Sequence, residues 1–190
     1  MEQFESLKLY SNFNEKVPFT NYYVEDQEEL CWFDNKMLIK CIETPCHTKG
    51  AMCYYFDSDT GDMEPDAYMK GEYMVVNKIN RCLFTGGTIN IAGCGKFYAG
   101  HTEDYKGTPE AMLEVMDKIG ELSNDTKIFP AHEYTTENFI FATKVEGAWN
   151  DHVGDFWDIF HNRLDDGYYS VPAMLGNEKK YNVFMRCRNK

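Results

Sequence analysis

The stretch from Arg81 to Pro130 constrains the fold most. Two short apolar strands, RCLFTGG (81–87) and KIFP (127–130), flank a helix whose start is written into the chain. Thr108 followed by Pro109 supplies an N-cap and a first helical residue with φ already fixed and no N–H to satisfy. Met112, Val115, Met116, Ile119 and Leu122 then fall on one helical face. Upstream, KMLIKCI (36–42) and AMCYYF (51–56) read as strands joined through a polar turn, ETPCHTKG. DSDTGDMEPD (57–66) is a loop by composition. Downstream come a helix near 137–146 and a second with the stripe Trp149, Val153, Phe156, Trp157, Phe160 and Leu164. The terminal VPAMLGNEKKYNVFMRC reads as irregular but apolar enough to pack. Strands alternating with helices specify an α/β layered domain.

Composition narrows the function classes. The chain has 190 residues, of which 43% are apolar and 15% aromatic, which fits one packed domain and excludes disorder. A net charge of −12 argues against a nucleic-acid surface, which needs clustered Lys and Arg. No apolar run approaches the roughly twenty residues of a membrane span. MEQFESLKLY has neither the apolar core of a secretory signal nor the Arg-rich character of a mitochondrial presequence. Seven cysteines, an odd count without paired spacing, read as reduced thiols. These features point to the cytoplasm, with the mitochondrion as the alternative.

Three stretches carry candidate chemistry: TPCHTKG with His47 in a turn before a strand, TGGT…GCGKFYAG, and PAHEYT with His132 after a short strand. Histidines in loops at strand ends, far apart in sequence, are how many binuclear metal sites are assembled. Each alone also reads as a solvated or hydrogen-bonding residue. The glycine-rich loop is not a phosphate cradle, because Phe97 follows Lys96 where a P-loop needs Ser or Thr.

In this order, TPCHTKGAMCYYF, CLFTGGTINIAGCGKFYAG, FPAHEYTTENFIFATKVE and VPAMLGNEKKYNVFMR resemble glyoxalase II (hydroxyacylglutathione hydrolase), of the metallo-β-lactamase-fold superfamily. The resemblance covers residues 22–190 and leaves 1–21 as an N-terminal arm. It implies the C-terminal part of an αββα sandwich, with a mixed sheet and flanking helices. The family hydrolyses S-acyl-glutathione, typically S-D-lactoylglutathione, with a hydroxide bridging two zinc or iron ions. Its ligands are a His-x-His-x-Asp-His run, a His in the TP-C/G-HT turn, a bridging Asp in TGDT and a His in HEY.

Of those positions His47 and His132 are kept as vestigial ligands, while the bridging Asp is Gly87 and a further family histidine falls at Ala51. No histidine precedes His47, so the resemblance implies an N-terminally truncated member. A metal on His47 and His132 would need help from Cys46, Cys94 or Glu133, which the family does not use. No resident metal or other cofactor is therefore expected. Lys96, Tyr98 and Tyr134 match groups that contact glutathione in the family, and they read equally as packing groups. Arg186, Arg188 and Lys190 are a loose substitute for the family's basic C-terminal extension.

The resemblance thus implies a catalytically inactive, glyoxalase II-like structural or interaction subunit of a larger complex. One alternative is a hydroxyacylglutathione hydrolase completed by a missing segment or a partner. Another is a metal-free module binding glutathione or an acyl-thiol. With one layer of the sandwich missing, a protein partner is expected on the inner sheet face, using residues 1–35 and Ala51–Phe56. Phe4, Leu7, Leu9, Tyr10, Phe13, Phe19 and Tyr22 are expected to cover part of that face.

Overall fold

A computed structural model describes residues 7–32, 37–57, 81–97 and 107–188. The loop expected at 57–66 lies outside them from residue 58 onward, as do Phe4, Tyr98 and Lys190.

The centre is a six-stranded mixed sheet in the order β10-β9-β6-β5-β4-β3. β3 (Glu29–Trp32), β4 (Met37–Glu43), β5 (Met52–Asp57) and β6 (Arg81–Gly86) form an antiparallel meander. β9 (Lys127–Pro130) joins β6 in parallel, and β10 (Ala173–Met174) pairs antiparallel to β9. The parallel step requires a crossover, which α1 (Pro109–Gly120) supplies. Thr108 caps it as expected, its Oγ1 accepting from the Ala111 N–H at 3.1 Å. Met112, Val115, Met116 and Ile119 are buried against Ile42, Tyr55, Leu83 and Ile128 of the sheet.

A second core joins α2 (Thr135–Glu146), α3 (Asp151–Asp165) and α4 (Leu175–Tyr181). Phe139 sits at its centre, with ring contacts to Trp157, Phe160 and Tyr181. Trp149, expected in the α3 stripe, precedes the helix and is 62% exposed. The terminal segment is not irregular. It forms β10 and α4, because the Asn182 N–H closes onto the Glu178 carbonyl and Leu175 and Tyr181 anchor it in the core.

The N-terminal arm also departs from expectation. β1 (Tyr10–Ser11) pairs in parallel with β2 (Tyr22–Tyr23), and a 3-10 turn spans Phe13–Glu15. Its larger apolar groups face outward: Leu7, Phe13 and Phe19 are 59%, 68% and 83% exposed. On the sheet face away from α1, Phe56, Phe84 and Phe129 run as an aromatic ladder, with adjacent ring centroids 5.2 Å apart.

Candidate functional site

Three turns at the C-terminal end of the sheet converge on His47. The first, Thr44–Gly50, follows β4 and is tied to the turn after β6 by a buried contact between the Thr44 and Thr88 hydroxyls, 3.0 Å apart. The second is the turn after β6 itself. Gly86 has φ +52, in the left-handed region that glycine enters without steric cost. Gly87 follows it, outside that region. The third is the hairpin of β7 (Ile89–Asn90) and β8 (Gly93–Cys94), which leads on to Lys96.

His47 is held between these turns. Its Nδ1 lies 3.0 Å from the Lys96 carbonyl, which can only accept, so Nδ1 carries the proton. The ring lies against Gly87: a Cβ there would fall 2.5 Å from both Cδ2 and Nε2. A side chain there would require the imidazole to move, since the ring occupies the space it would need. Gly95 packs as tightly, since its Cβ would meet the Gly87 carbonyl at 1.8 Å.

The hairpin is clamped from α4. The Glu178 carboxylate, fully buried, accepts from the Ala92 N–H at 3.0 Å, Asn182 Nδ2 at 2.8 Å and the Tyr181 hydroxyl at 2.5 Å. Burial pushes its pKa up to about 7, against these hydrogen bonds, which favour the charged form. Asn138 and Asn182 donate to the Ile91 and Gly93 carbonyls. Glu178 was not singled out in the sequence. Its signal there is only its place, four residues before Asn182 in a short helix.

An open cleft of about 300 Å³ lies over this point, with His47, Thr48, Thr85, Gly86 and Gly87 on one side and Tyr10, Ser11, Asn12 and Glu15 on the other. The arm therefore forms a wall of the site. Glu15 Oε2 accepts from Thr48 Oγ1 at 2.7 Å and from the Gly50 N–H at 3.0 Å. Gly50 is required there, because a Cβ would lie 2.4 Å from the Glu15 nitrogen. One imidazole, one carboxylate and several hydroxyls can hold a small polar molecule by hydrogen bonds.

The other sequence candidates lie elsewhere. His132 is exposed, its ring centroid 5.3 Å from that of Tyr134, which is itself 49% exposed at the start of α2. Lys96 is exposed, and neither it, His132 nor Tyr134 lines the cleft. Ala51 does. Cys46 is buried and gives its thiol to the Thr108 carbonyl, while burial pushes the Cys94 thiol up to about 12, leaving it neutral. Burial raises the Glu133 pKa, but hydrogen bonds from Thr135 and Ser170 outweigh this and hold it below the usual range. Arg186 is paired with Glu146 at 2.9 Å, and Arg188 with Asp117 at 2.6 Å. Among the described residues, no three His, Cys, Asp or Glu side chains gather where they could hold a metal ion.

Residues 133–190 match the family model described as hydroxyacylglutathione hydrolase C-terminus. The chain is 33% identical over 174 residues to a hydroxyacylglutathione hydrolase-like protein of Gallus gallus, covering 91% of this chain and 52% of that protein. It is 31% identical over 175 residues to hydroxyacylglutathione hydrolase of Prochlorococcus marinus, covering 92% and 59%. With the same enzyme of Synechocystis sp. it shares 27% identity, covering 100% and 64%. The chain thus spans between about half and two thirds of the length of these curated relatives. Its fold matches the metallo-beta-lactamase from Staphylococcus aureus, with a TM-score of 0.57, 14% identity, and coverage of 96% of this chain and 42% of that one. ETHE1 from Myxococcus xanthus gives a TM-score of 0.51, 14% identity, and coverage of 95% and 58%.

Proposed function

From the premise that this chain is a glyoxalase II-like protein of metallo-β-lactamase fold, we propose that it is catalytically inactive and serves as an interaction subunit of a larger protein complex. The observation that carries this reading is the contact of His47 with Gly87. In the family this position holds the carboxylate that bridges two metals. Here the position has no side chain, and the His47 imidazole fills the space one would need.

The residues present therefore do not fit a carboxylate-bridged binuclear centre, and no hydrolytic step is derived through one. The bond of His47 Nδ1 to the Lys96 carbonyl and the contact of its other edge with Gly87 support a structural rather than a metal-binding role in the turn. The test is hydrolysis of S-D-lactoylglutathione by the purified chain, with elemental analysis after dialysis. The expected result is turnover no faster than buffer and no stoichiometric zinc or iron. Metal-dependent turnover that disappears in His132→Ala would overturn the reading.

The second reading, a hydroxyacylglutathione hydrolase completed by a further segment or partner, is favoured by the names of the relatives. It requires that the completing group displace His47 from Gly87, which the same assay on the reconstituted complex would detect. A third, metal-free reading as a glutathione-binding module rests on Lys96 and Tyr134, which are exposed and available to a ligand.

A further inference from the structure

The cleft over His47 is lopsided in charge and in hydrogen bonding. Glu15 puts a carboxylate on its arm side, and among the described residues no lysine or arginine lines it. Lys16 and Lys49 follow Glu15 and Thr48 in the chain, but neither is a lining residue. The donors of its walls are largely spent within the protein. Thr48 Oγ1 and the Gly50 N–H both go to Glu15 Oε2, Thr85 Oγ1 donates to the Ile89 carbonyl at 2.8 Å, and Asn12 Nδ2 donates to Glu43. The balance that remains is one of oxygen acceptors and a single negative charge.

The apolar part of the lining is largely aromatic. Tyr10 of the arm and Tyr54 of β5 both line the cleft and are both half-buried. Tyr54 stands opposite Phe84 in the sheet register, so the cleft borders the aromatic ladder. An anionic ligand would bring its charge against Glu15 and find few donors to receive it. A small metal ion would find one carboxylate where it needs several ligands. A methylated ammonium meets both conditions. It is a cation that needs no acceptor in fixed geometry, and its methyl groups pack against the faces of electron-rich rings. At about 300 Å³ the cleft is at the small end of ligand sites, which suits a head group.

We propose that the cleft between the arm and the His47 turn binds a methylated ammonium group, packed against Tyr10 and Tyr54 with its charge balanced by Glu15. A free small molecule and a methylated lysine side chain carry the same head, and the experiment separates them. The site stands apart from the reading of an inactive subunit, because that reading invokes none of these three residues.

The experiment titrates the full chain at constant ionic strength, followed by amide chemical shifts, with choline, its uncharged isostere 3,3-dimethylbutan-1-ol, and ethanolamine. Choline saturates with a dissociation constant of about a millimolar, and the alcohol and ethanolamine bind at least fivefold more weakly. Glu15→Gln weakens choline binding at least fivefold. It removes the charge but leaves an oxygen to accept from Thr48 and Gly50, so the wall is kept. Tyr54→Leu weakens binding at least threefold, whereas Tyr54→Phe, which keeps the ring, stays within twofold of wild type. A control on α2, Glu137→Gln, removes an exposed carboxylate outside the cleft and changes binding less than twofold. Titration with N-acetyl-trimethyllysine amide names the source: tighter binding than choline identifies a protein side chain, weaker binding a free small molecule.

The proposal is overturned if choline gives no saturable shifts up to tens of millimolar, or if the alcohol or ethanolamine binds as tightly. It is overturned equally if Tyr54→Phe is as weak as Tyr54→Leu, or if Glu137→Gln matches Glu15→Gln. The comparison of choline with the alcohol uses the unaltered chain, so it decides even where a variant fails to fold. Turnover of lactoylglutathione would sink the reading of an inactive subunit and leave the choline result standing. Failed choline binding would leave the inactivity untouched.

Discussion

Gly87 and His47 make a mutually exclusive pair, which a coupled measurement can expose. Gly87 sits outside the left-handed region, so an L-residue strains nothing locally, and any cost of a side chain comes from the imidazole it meets. Gly87→Ala forces the ring off the Lys96 carbonyl and is expected to cost about 1–3 kcal/mol. In a His47→Ala background the same change should cost less than about 0.5 kcal/mol, by urea denaturation. Equal costs in both backgrounds would show that the contact does not govern the position. Gly87→Asp is expected to destabilise like Gly87→Ala and to create no thioesterase activity. Glu178 is the second residue with a sharp signature. Its folded pKa of about 7 lies above the ordinary carboxylate value of 4.5, so between those values the folded state binds more protons than the unfolded one. Its contribution is therefore fully present below pH 4.5 and is lost as pH rises to 7, by roughly 3 kcal/mol. Glu178→Gln can keep all three contacts, since the Tyr181 hydroxyl can accept from the new amide. The gap between variant and wild type should widen in the variant's favour from pH 4.5 to pH 7.5, and a constant gap would refute the assignment.

Among the elements, those with local signals were legible and those made by tertiary contact were not. The Thr108–Pro109 cap and the Met112–Ile119 stripe fix α1 without reference to anything else. The terminal β10 and α4 escaped the sequence because β10 is only two residues long and exists by pairing with β9, and α4 is held by Glu178 and Tyr181 in a core no local pattern announces. The site divides in the same way. His47 and Gly87 were visible as positions in a motif, but their contact, the Glu15 wall and the Glu178 clamp belong to the packing of distant segments. Arg186 shows the difference in role. Read from sequence as a loose ligand contact, it instead pairs with Glu146, whose side chain is only 8% exposed and also accepts from Asn150. Arg186→Ala is expected to cost about 2–3 kcal/mol by leaving that carboxylate buried beside α2 without its cation. Arg186→Met combined with Glu146→Gln should recover most of the loss, and if the double variant is no more stable than Arg186→Ala the pair is not what holds the C-terminus.

At the scale of the molecule, the sheet is sealed by α1 on one face, while on the other Ile39, Cys41 and Cys82 are buried and Phe84 reaches solvent. α1 buries Leu83, Tyr55 and Ile128 from one side, while on the opposite face Phe84 is 44% exposed between Phe56 and Phe129. The described part of the arm reaches Met52 and Tyr54 along the cleft and leaves Phe84 44% exposed. Three contacting aromatic rings, Phe84 stacked on Phe129 and edge-to-face with Phe56 and nearly half in water, form an apolar patch of the kind that marks an interface. Its burial contributes roughly 25 cal/mol per Å² only when something covers it. The isolated chain is therefore expected to bind an apolar fluorescent dye while fully folded. Phe84→Thr should lower that signal with little change in urea midpoint, because the ring it removes is already 44% exposed and threonine suits a strand. A patch that contributes to folding would behave oppositely, with Phe84→Thr costing several kcal/mol as buried phenylalanine does. That outcome, or the absence of dye binding by the native chain, would show that the sheet is closed on both faces within a single molecule.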